Sequence, residues 1–198
     1  MASHTLGADF KQLLVGDHFV EIGWFGFVPG PNRYNGATYL EPEGGEWTLS
    51  VYSHVSFTNG GKHIRIGKME GKLKNRLNRW GYYICGVLNN DMIAKNQQFA
   101  GGTPPWEALG WLEYLQPYGG RGLLFARRGP DAAKLPPLEL DLEKRALAAR
   151  EADLIVRHQP PLNNDRYGLA GKKLKEARIA QHGPPTRVLR RNRACPPP

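Results

Sequence analysis

Glu151 is the residue whose type and position most need a chemical reason. A helix over about residues 141–158, capped by Asp141, puts Glu151 on one face with Leu147 and Leu154. An ionised carboxylate removed from water is costly unless it is paired or bound to a metal ion. Glu151 therefore predicts either a salt bridge at the edge of the core or a metal ligand.

A β-hairpin over about residues 47–67 supplies the next candidates. Apolar and polar residues alternate on both sides of an Asn-Gly-Gly turn, which is typical of two half-buried antiparallel strands. Because alternate side chains of a strand point to one face, we expect Tyr52, His63 and Arg65 to share the polar face. Gly67 is expected to end the second strand.

The helix that follows the hairpin has an apolar stripe, Leu73, Leu77 and Trp80, beside a cationic one. The cations of that stripe are Lys72, Arg76 and Arg79. Further along, the pattern predicts a helix over 106–115, capped through Thr103, and a buried strand over 122–126. A strand over 18–28 is also predicted.

The positive charge is concentrated at the C-terminal end. The chain carries 27 Lys and Arg against 18 Asp and Glu. Residues 166–198 hold nine of these cations and one anion, a net charge of +8, so the other 165 residues hold only +1. A near-neutral body with a basic tail is typical of a protein with a phosphate-rich partner, although a solvated tail explains it equally well.

Composition excludes several classes of protein. The apolar fraction of 40% is sufficient for a core, but no apolar run approaches the ~18 residues of a membrane span. Two distant cysteines exclude a disulfide framework and a CxxC metal site. The first residues lack the features of a secretory signal, so a cytoplasmic protein is expected.

The string from Glu151 to Asn163 resembles the C-terminal motif of the GIY-YIG nucleases, above all the incision domain of the bacterial excision-repair nuclease. That family shows a Glu, a Leu-Ile pair three residues on, then a Pro, and an Asn twelve residues after the Glu. Each feature occurs here at the same spacing, in Glu-Ala-Asp-Leu-Ile-Val-Arg-His-Gln-Pro-Pro-Leu-Asn.

The family's earlier motifs have counterparts upstream. Gly-Ile-Tyr corresponds to the Ser-Val-Tyr that ends at Tyr52, and Tyr-Ile-Gly to the Arg-Ile-Gly that begins at Arg65 and precedes Lys68. The helical Arg of the family corresponds to Arg76. Two positions depart from the family pattern, since Arg65 replaces its Tyr and Trp80 replaces its His. If those residues transfer protons in relatives, His54 or His63 would have to substitute here, and each is otherwise explained as a solvent-facing histidine at a strand end.

The resemblance implies a one-metal hydrolysis of phosphodiester bonds. Glu151 would bind Mg²⁺ or Mn²⁺, Tyr52 would take a proton from water, and Arg76 would bind the scissile phosphate. Asn163 would hydrogen-bond near the metal or a catalytic side chain, or would simply form the turn. The cations Lys68, Arg65 and Arg76 favour a phenolate, so Arg65→Tyr is expected to shift the pH–rate profile.

The implied fold is α+β, an α/β sandwich in which helices flank a small, mainly antiparallel three-stranded sheet. The expected organisation is an N-terminal extension (1–45), a nuclease-like domain (46–165) with a helical insertion (about 81–121), and a basic tail (166–198). The residues expected to contact nucleic acid are Lys72, Arg79, Lys172, Lys173, Lys175, Arg178, Arg190 and Arg191.

Two functions follow from these residues. The first is a metal-dependent DNA endonuclease, of either a restriction or a repair or phage type, acting most readily on double-stranded DNA. The second is a non-catalytic nucleic-acid-binding protein on a degenerate nuclease fold. Each chain would have one active site, whereas a DNA duplex has two strands. Action on both strands therefore favours a homodimer. The recognition sequence, the choice of DNA or RNA and the number of strands cut stay open.

Overall fold

The computed structural model describes residues 4–27, 34–39, 44–89, 92–99, 105–163, 176–177 and 179–188. The main strands in these ranges are β1 (Val20–Phe27), β2 (Tyr34–Tyr39), β3 (Ser50–Ser56), β4 (Lys62–Met69) and β6 (Arg121–Arg127), and the helices are α1 (Ala8–Gly16), α2 (Leu73–Asn89), α3 (Pro105–Leu115) and α4 (Pro137–His158). Two short strands, β5 (Gln97–Phe99) and β7 (Thr186–Val188), pair in parallel as a separate ladder. No described helix is long and apolar enough to cross a membrane.

The principal sheet has five strands in the order β2-β1-β6-β3-β4, and each neighbouring pair is antiparallel. The α+β class is therefore confirmed. Strands β3, β4 and β6, the three strands of the predicted sheet, form one side of this sheet, and β1 lies within the strand predicted over 18–28. The prediction of a three-stranded sheet is therefore wrong. Residues assigned to an N-terminal extension add β1 and β2 to it, because β1 pairs with the free edge of β6.

Helices cover both faces of the sheet. Buried residues of α2 and α3, among them Leu77 and Trp111, pack with Tyr52 on one face. Buried residues of α1 and α4, among them Leu14 and Leu147, pack with Val51 on the other. Every residue of β3 is buried as a result. The expectation that one face of the hairpin is polar and open to solvent is wrong, because this sheet is the middle layer of three.

A β-bulge changes the facing of β4. His54 pairs with Arg65, but Val55 pairs with His63, so Ile64 is an extra residue in the ladder. Tyr52 and Arg65 consequently lie on the α2–α3 side of the sheet, whereas His63 packs with residues of the α1–α4 side. The prediction that His63 shares a face with Tyr52 is therefore wrong.

Two predicted boundaries also move. Strand β4 continues past Gly67 to Met69, because Gly67 pairs with Tyr52 inside the ladder. Helix α4 begins at Pro137, so Asp141 lies within it and does not cap it. A proline is accepted at a helix start because its missing N–H would have no intrahelical partner there. The helix predicted after the hairpin and the helix predicted over 106–115 are confirmed as α2 and α3. Thr103 lies outside the described residues.

Candidate active site

Tyr52 and Arg76 meet on the α2–α3 side of the sheet. Arg76 Nε donates a hydrogen bond to the Tyr52 hydroxyl over 3.3 Å. Tyr52 is 1% exposed, and its ring lies across Gly67 on the neighbouring strand. A Cβ built on Gly67 would come within 2.5 Å of the Tyr52 hydroxyl oxygen. The absence of a side chain at this position therefore allows the tyrosine to lie where Arg76 reaches it.

Glu151 projects from the buried side of α4 to the outer edge of β4. Partial burial raises the pKa of Glu151, while the charges of Lys68, Arg65 and Arg76 act in the opposite direction without outweighing it. The backbone N–H of Lys68 lies near the Glu151 carboxylate and, as a donor, also acts to lower this pKa. The predicted orientation of Glu151 with Leu147 and Leu154 is confirmed, because both leucines are buried. The fold thus brings Glu151 near the cations that the sequence analysis selected.

Arg65 is held by a residue that the sequence analysis did not select. Its Nη1 donates to Glu107 Oε1 over 2.6 Å and to the Leu162 carbonyl over 3.0 Å. The two side chains are 9% and 14% exposed, so this is a nearly buried ion pair between β4 and α3. Glu107 had no distinguishing signal in the sequence, since an acidic residue in the first turn of a helix is common.

Asn163 completes the outer edge of β4. Its side-chain oxygen accepts from the Ile66 N–H over 2.8 Å, and its side-chain nitrogen donates to the Ile66 carbonyl over 2.7 Å. The Leu162 N–H bonds the Ile64 carbonyl over 2.9 Å in the same way. The segment after α4 therefore acts as a short substitute strand. Asn163 places this segment, and with it the end of α4, against the strand that carries Arg65 and Lys68.

The two hairpin histidines are buried, so neither is the solvent-facing residue considered from the sequence. The His54 ring makes edge contacts with Tyr52 and Trp111, and burial holds its pKa well below the usual value. His63 Nδ1 lies 2.7 Å from the Ser53 hydroxyl oxygen on the other face. Burial, assisted by the charge of His158, lowers the pKa of His63 to about 3. His54 is thus the histidine beside Tyr52, and it is neutral at physiological pH.

The carboxylate of Glu151 fits a metal ion as one ligand among several. No group of three or more His, Cys, Asp or Glu side chains that could hold a metal ion occurs among the described residues. A closed structural site of the kind that zinc occupies is therefore not formed by them. Mg²⁺ retains much of its water and commonly takes only one or two protein carboxylates together with substrate phosphate. Glu151 could serve as the single carboxylate of such an arrangement, with the nearby cations facing the phosphate.

The predicted nucleic-acid contacts are only partly described. Lys72 is exposed and forms an ion pair with Glu46 at 2.7 Å, and Arg79 is exposed on α2. The other predicted contacts lie outside the described residues, namely Lys172, Lys173, Lys175, Arg178, Arg190 and Arg191. The side chain of Trp80 is likewise not described. Residues 176–177 and 179–182, within the basic tail, are helical.

Comparison with known proteins adds no relative. No family model, curated protein or solved structure matches the chain.

Proposed function

We propose that this protein is a metal-dependent endonuclease that hydrolyses phosphodiester bonds of DNA. The observation that carries the proposal is the meeting of Glu151, Lys68, Arg76 and Tyr52 from four separate elements around the end of β4. The first and last of these residues, Tyr52 and Glu151, are 99 positions apart in the sequence. Each of the four was selected from the sequence for a different step of one reaction. The resemblance to the GIY-YIG motifs supports the same assignment.

The roles follow from the chemistry of each side chain. Arg76 offers a planar fork of donors that matches two phosphate oxygens, and its Nε already orients the Tyr52 hydroxyl. Tyr52, whose hydroxyl oxygen accepts a hydrogen bond from Arg76, would take a proton from the attacking water. Lys68 and Arg65 add positive charge where the phosphate develops negative charge.

Glu151 would hold a Mg²⁺ or Mn²⁺ ion at the edge of β4. When bound, the ion would offset charge on the phosphate and stabilise the leaving oxygen. The nearby Lys68 N–H favours the charged form of this carboxylate. Because burial raises the pKa of Glu151, protons compete with the metal at a higher pH than they would at an exposed glutamate. Activity is therefore expected to fall on the acid side at a correspondingly higher pH.

Cleavage of plasmid and phage DNA tests the proposal. The wild-type protein is incubated with each substrate in Mg²⁺, Mn²⁺ or EDTA, beside Glu151→Gln and the matched control Glu143→Gln. Glu143 is on the same helix and pairs with Arg150 at 3.5 Å, away from β4. We expect metal-dependent cutting by the wild type and the control, and a loss of at least a hundredfold in Glu151→Gln with DNA binding retained.

The same experiment distinguishes the alternative function. If all three proteins bind DNA and none cuts it with any metal, the nuclease proposal is wrong and a non-catalytic nucleic-acid-binding protein takes its place. The ion pair of Arg65 with Glu107, where the family has a tyrosine, is the observation that favours this second reading.

A further inference from the structure

An aromatic cleft opens at the far end of the sheet from Glu151. It encloses about 550 Å³ where β1 and β6 pass the segment that follows α3. One wall is Trp24, with the Arg121 guanidinium 5.1 Å from the centre of its ring. The other wall consists of Phe57 and Tyr118, whose ring centres are 5.6 Å apart, and of His4, which makes edge contacts with both.

The cleft is open between these walls. Gly119 lines it without a side chain, and a Cβ built there would meet nothing within 4 Å. Gly122 also lines it, but a Cβ at that position would point to the buried Phe25 ring, 2.6 Å away. Gly119 has φ of +67°, the left-handed conformation that ends the short 3₁₀-helix Gln116–Tyr118 and turns the chain into β6. The backbone turn at Gly119 therefore helps to fix the position of Tyr118 in the wall of the cleft. A slot with aromatic walls suits a flat ligand.

The charge of the lining selects among flat ligands. Among the lining residues that the structure describes, Arg121 is the one with a formal charge and none is acidic. A cationic ligand would be repelled by Arg121 and would find no carboxylate among these residues to balance it. A flat neutral ring joined to an anionic group matches both features, because arginine and aromatic rings stack on bases while arginine also pairs with phosphate.

We propose that this cleft holds one unpaired base of a nucleic-acid strand, stacked on Trp24 with its phosphate at Arg121. This proposal rests on the proposed function, because that function is the reason for choosing a nucleic acid as the ligand. The base site would be a second point of contact with the nucleic acid, apart from the candidate active site. Phe57 follows β3 five residues after Tyr52, so the cleft lies roughly 17 Å along that strand from the candidate active site. An enzyme that holds a base here would bind the strand at two separate points.

The test measures base stacking in the absence of cleavage. The Glu151→Gln protein in EDTA is titrated into a single-stranded oligonucleotide that carries 2-aminopurine, whose fluorescence falls when the base stacks on an aromatic ring. The same titration is made with Trp24→Ala, Trp24→Phe and Arg121→Ala added to Glu151→Gln. Arg128→Ala is the matched control. Like Arg121, Arg128 lies over a tryptophan ring, that of Trp47 at 5.4 Å, but it follows the opposite end of β6 from the cleft.

We expect the fluorescence to be quenched with the parent protein and with Arg128→Ala. Trp24→Ala should abolish the quenching and weaken binding roughly tenfold or more, Trp24→Phe should restore both, and Arg121→Ala should weaken binding. Circular dichroism checks that each variant is folded.

Two outcomes would overturn the base site, and neither depends on catalysis. One is the same quenching in Trp24→Ala as in the parent. The other is no quenching with any of the proteins. Binding of a trimethylammonium probe in the cleft, without quenching by the oligonucleotide, would show that the cleft takes a cationic ligand instead. A wild-type protein that cuts DNA without quenching would retain the nuclease proposal alone, and a protein that quenches without ever cutting would retain the base site alone.

Discussion

At the scale of single residues, the geometry of the candidate site depends on a side chain that is missing. The Tyr52 ring occupies the space beside Gly67 that any other residue would fill with its Cβ. Cross-strand neighbours in a ladder are close enough that one methyl group decides whether a ring lies flat over its partner. Gly67 therefore leaves the space in which Tyr52 lies beside the Arg76 donor.

We expect Gly67→Ala to reduce DNA cleavage at least tenfold, because the added methyl group displaces Tyr52 from Arg76. The change should also lower the free energy of unfolding by about 1–3 kcal/mol, as overpacking does. The matched control is Gly16→Ala, where a Cβ would meet nothing within 4 Å. Cleavage and denaturant unfolding are measured for both. Normal cleavage by folded Gly67→Ala would show that the position of Tyr52 does not matter.

His63 should make the stability of the protein depend on pH. In the unfolded chain it takes up a proton as the pH falls below its ordinary value of 6.5, whereas in the folded protein it stays neutral until about pH 3. The unfolded state therefore binds more protons between these values, and stability is lost as the pH falls from 6.5 towards 3. One such proton corresponds to about 1.4 kcal/mol per pH unit.

Urea unfolding of the wild type and of His63→Gln at several pH values measures this contribution. We expect the free energy of unfolding to fall less steeply with decreasing pH in His63→Gln. The glutamine keeps a polar partner for Ser53 but does not take up a proton. Parallel curves for the two proteins would mean that His63 is protonated equally in the folded and unfolded states.

At the scale of elements, the ion pair between Arg65 and Glu107 joins β4 to α3. Glu107 lies within the predicted insertion, so this segment is part of the environment of the candidate site. The pair is almost buried, and removal of one partner leaves the other charge without compensation in a region poor in water. By contrast, Lys144 and Asp141 form an exposed pair at 4.0 Å on the surface of α4.

We expect Glu107→Gln to lower the free energy of unfolding by about 3 kcal/mol. Asp141→Asn should change it by less than about 1 kcal/mol, since exposed pairs contribute little. Denaturant unfolding measures the free energy of unfolding of both single variants. It is also measured for the double variant Arg65→Met/Glu107→Gln, in which both charges of the buried pair are removed. An equal loss in the two single variants would show that Glu107 does not compensate a buried charge.

At the scale of the whole molecule, the charge is divided between a nearly neutral body and a basic tail of net +8. If the tail follows a nucleic-acid backbone, each lysine that contacts a phosphate releases counterions and steepens the dependence of binding on salt. Lys172, Lys173 and Lys175 are close in sequence and are the natural residues to neutralise together.

We expect the triple change of these lysines to glutamine to reduce the slope of log Kobs against log[salt] by about 3 on double-stranded DNA. The control neutralises three lysines of the body instead, namely Lys11, Lys134 and Lys144. Binding is measured by fluorescence anisotropy between 50 and 200 mM salt, roughly the range in which such slopes are resolved. An unchanged slope would mean that these tail lysines do not contact phosphate.

Local patterns in the sequence were sufficient for much of the architecture. Alternation with a turn predicts the β3–β4 hairpin, and the spacing of Leu147, Leu154 and Glu151 predicts which side of α4 is buried. These features depend on residues within a few positions of one another, so their period is visible in the chain itself. The residues selected for chemistry, Tyr52, Arg76 and Glu151, were found by the same local patterns and by their resemblance to family motifs.

The tertiary structure decided what depends on distant partners. The extra residue Ile64 sends His63 to the opposite face, and no period in the sequence reveals a bulge, because its register is set by packing on the adjacent strand. Glu107 meets Arg65 across 42 positions, and Asn163 meets Ile66 across 97. The sequence alone thus determined which residues are candidates for a functional site. Only the packing of helices on both faces decided which of them share a site, because burial and long-range contacts fix each side chain's direction.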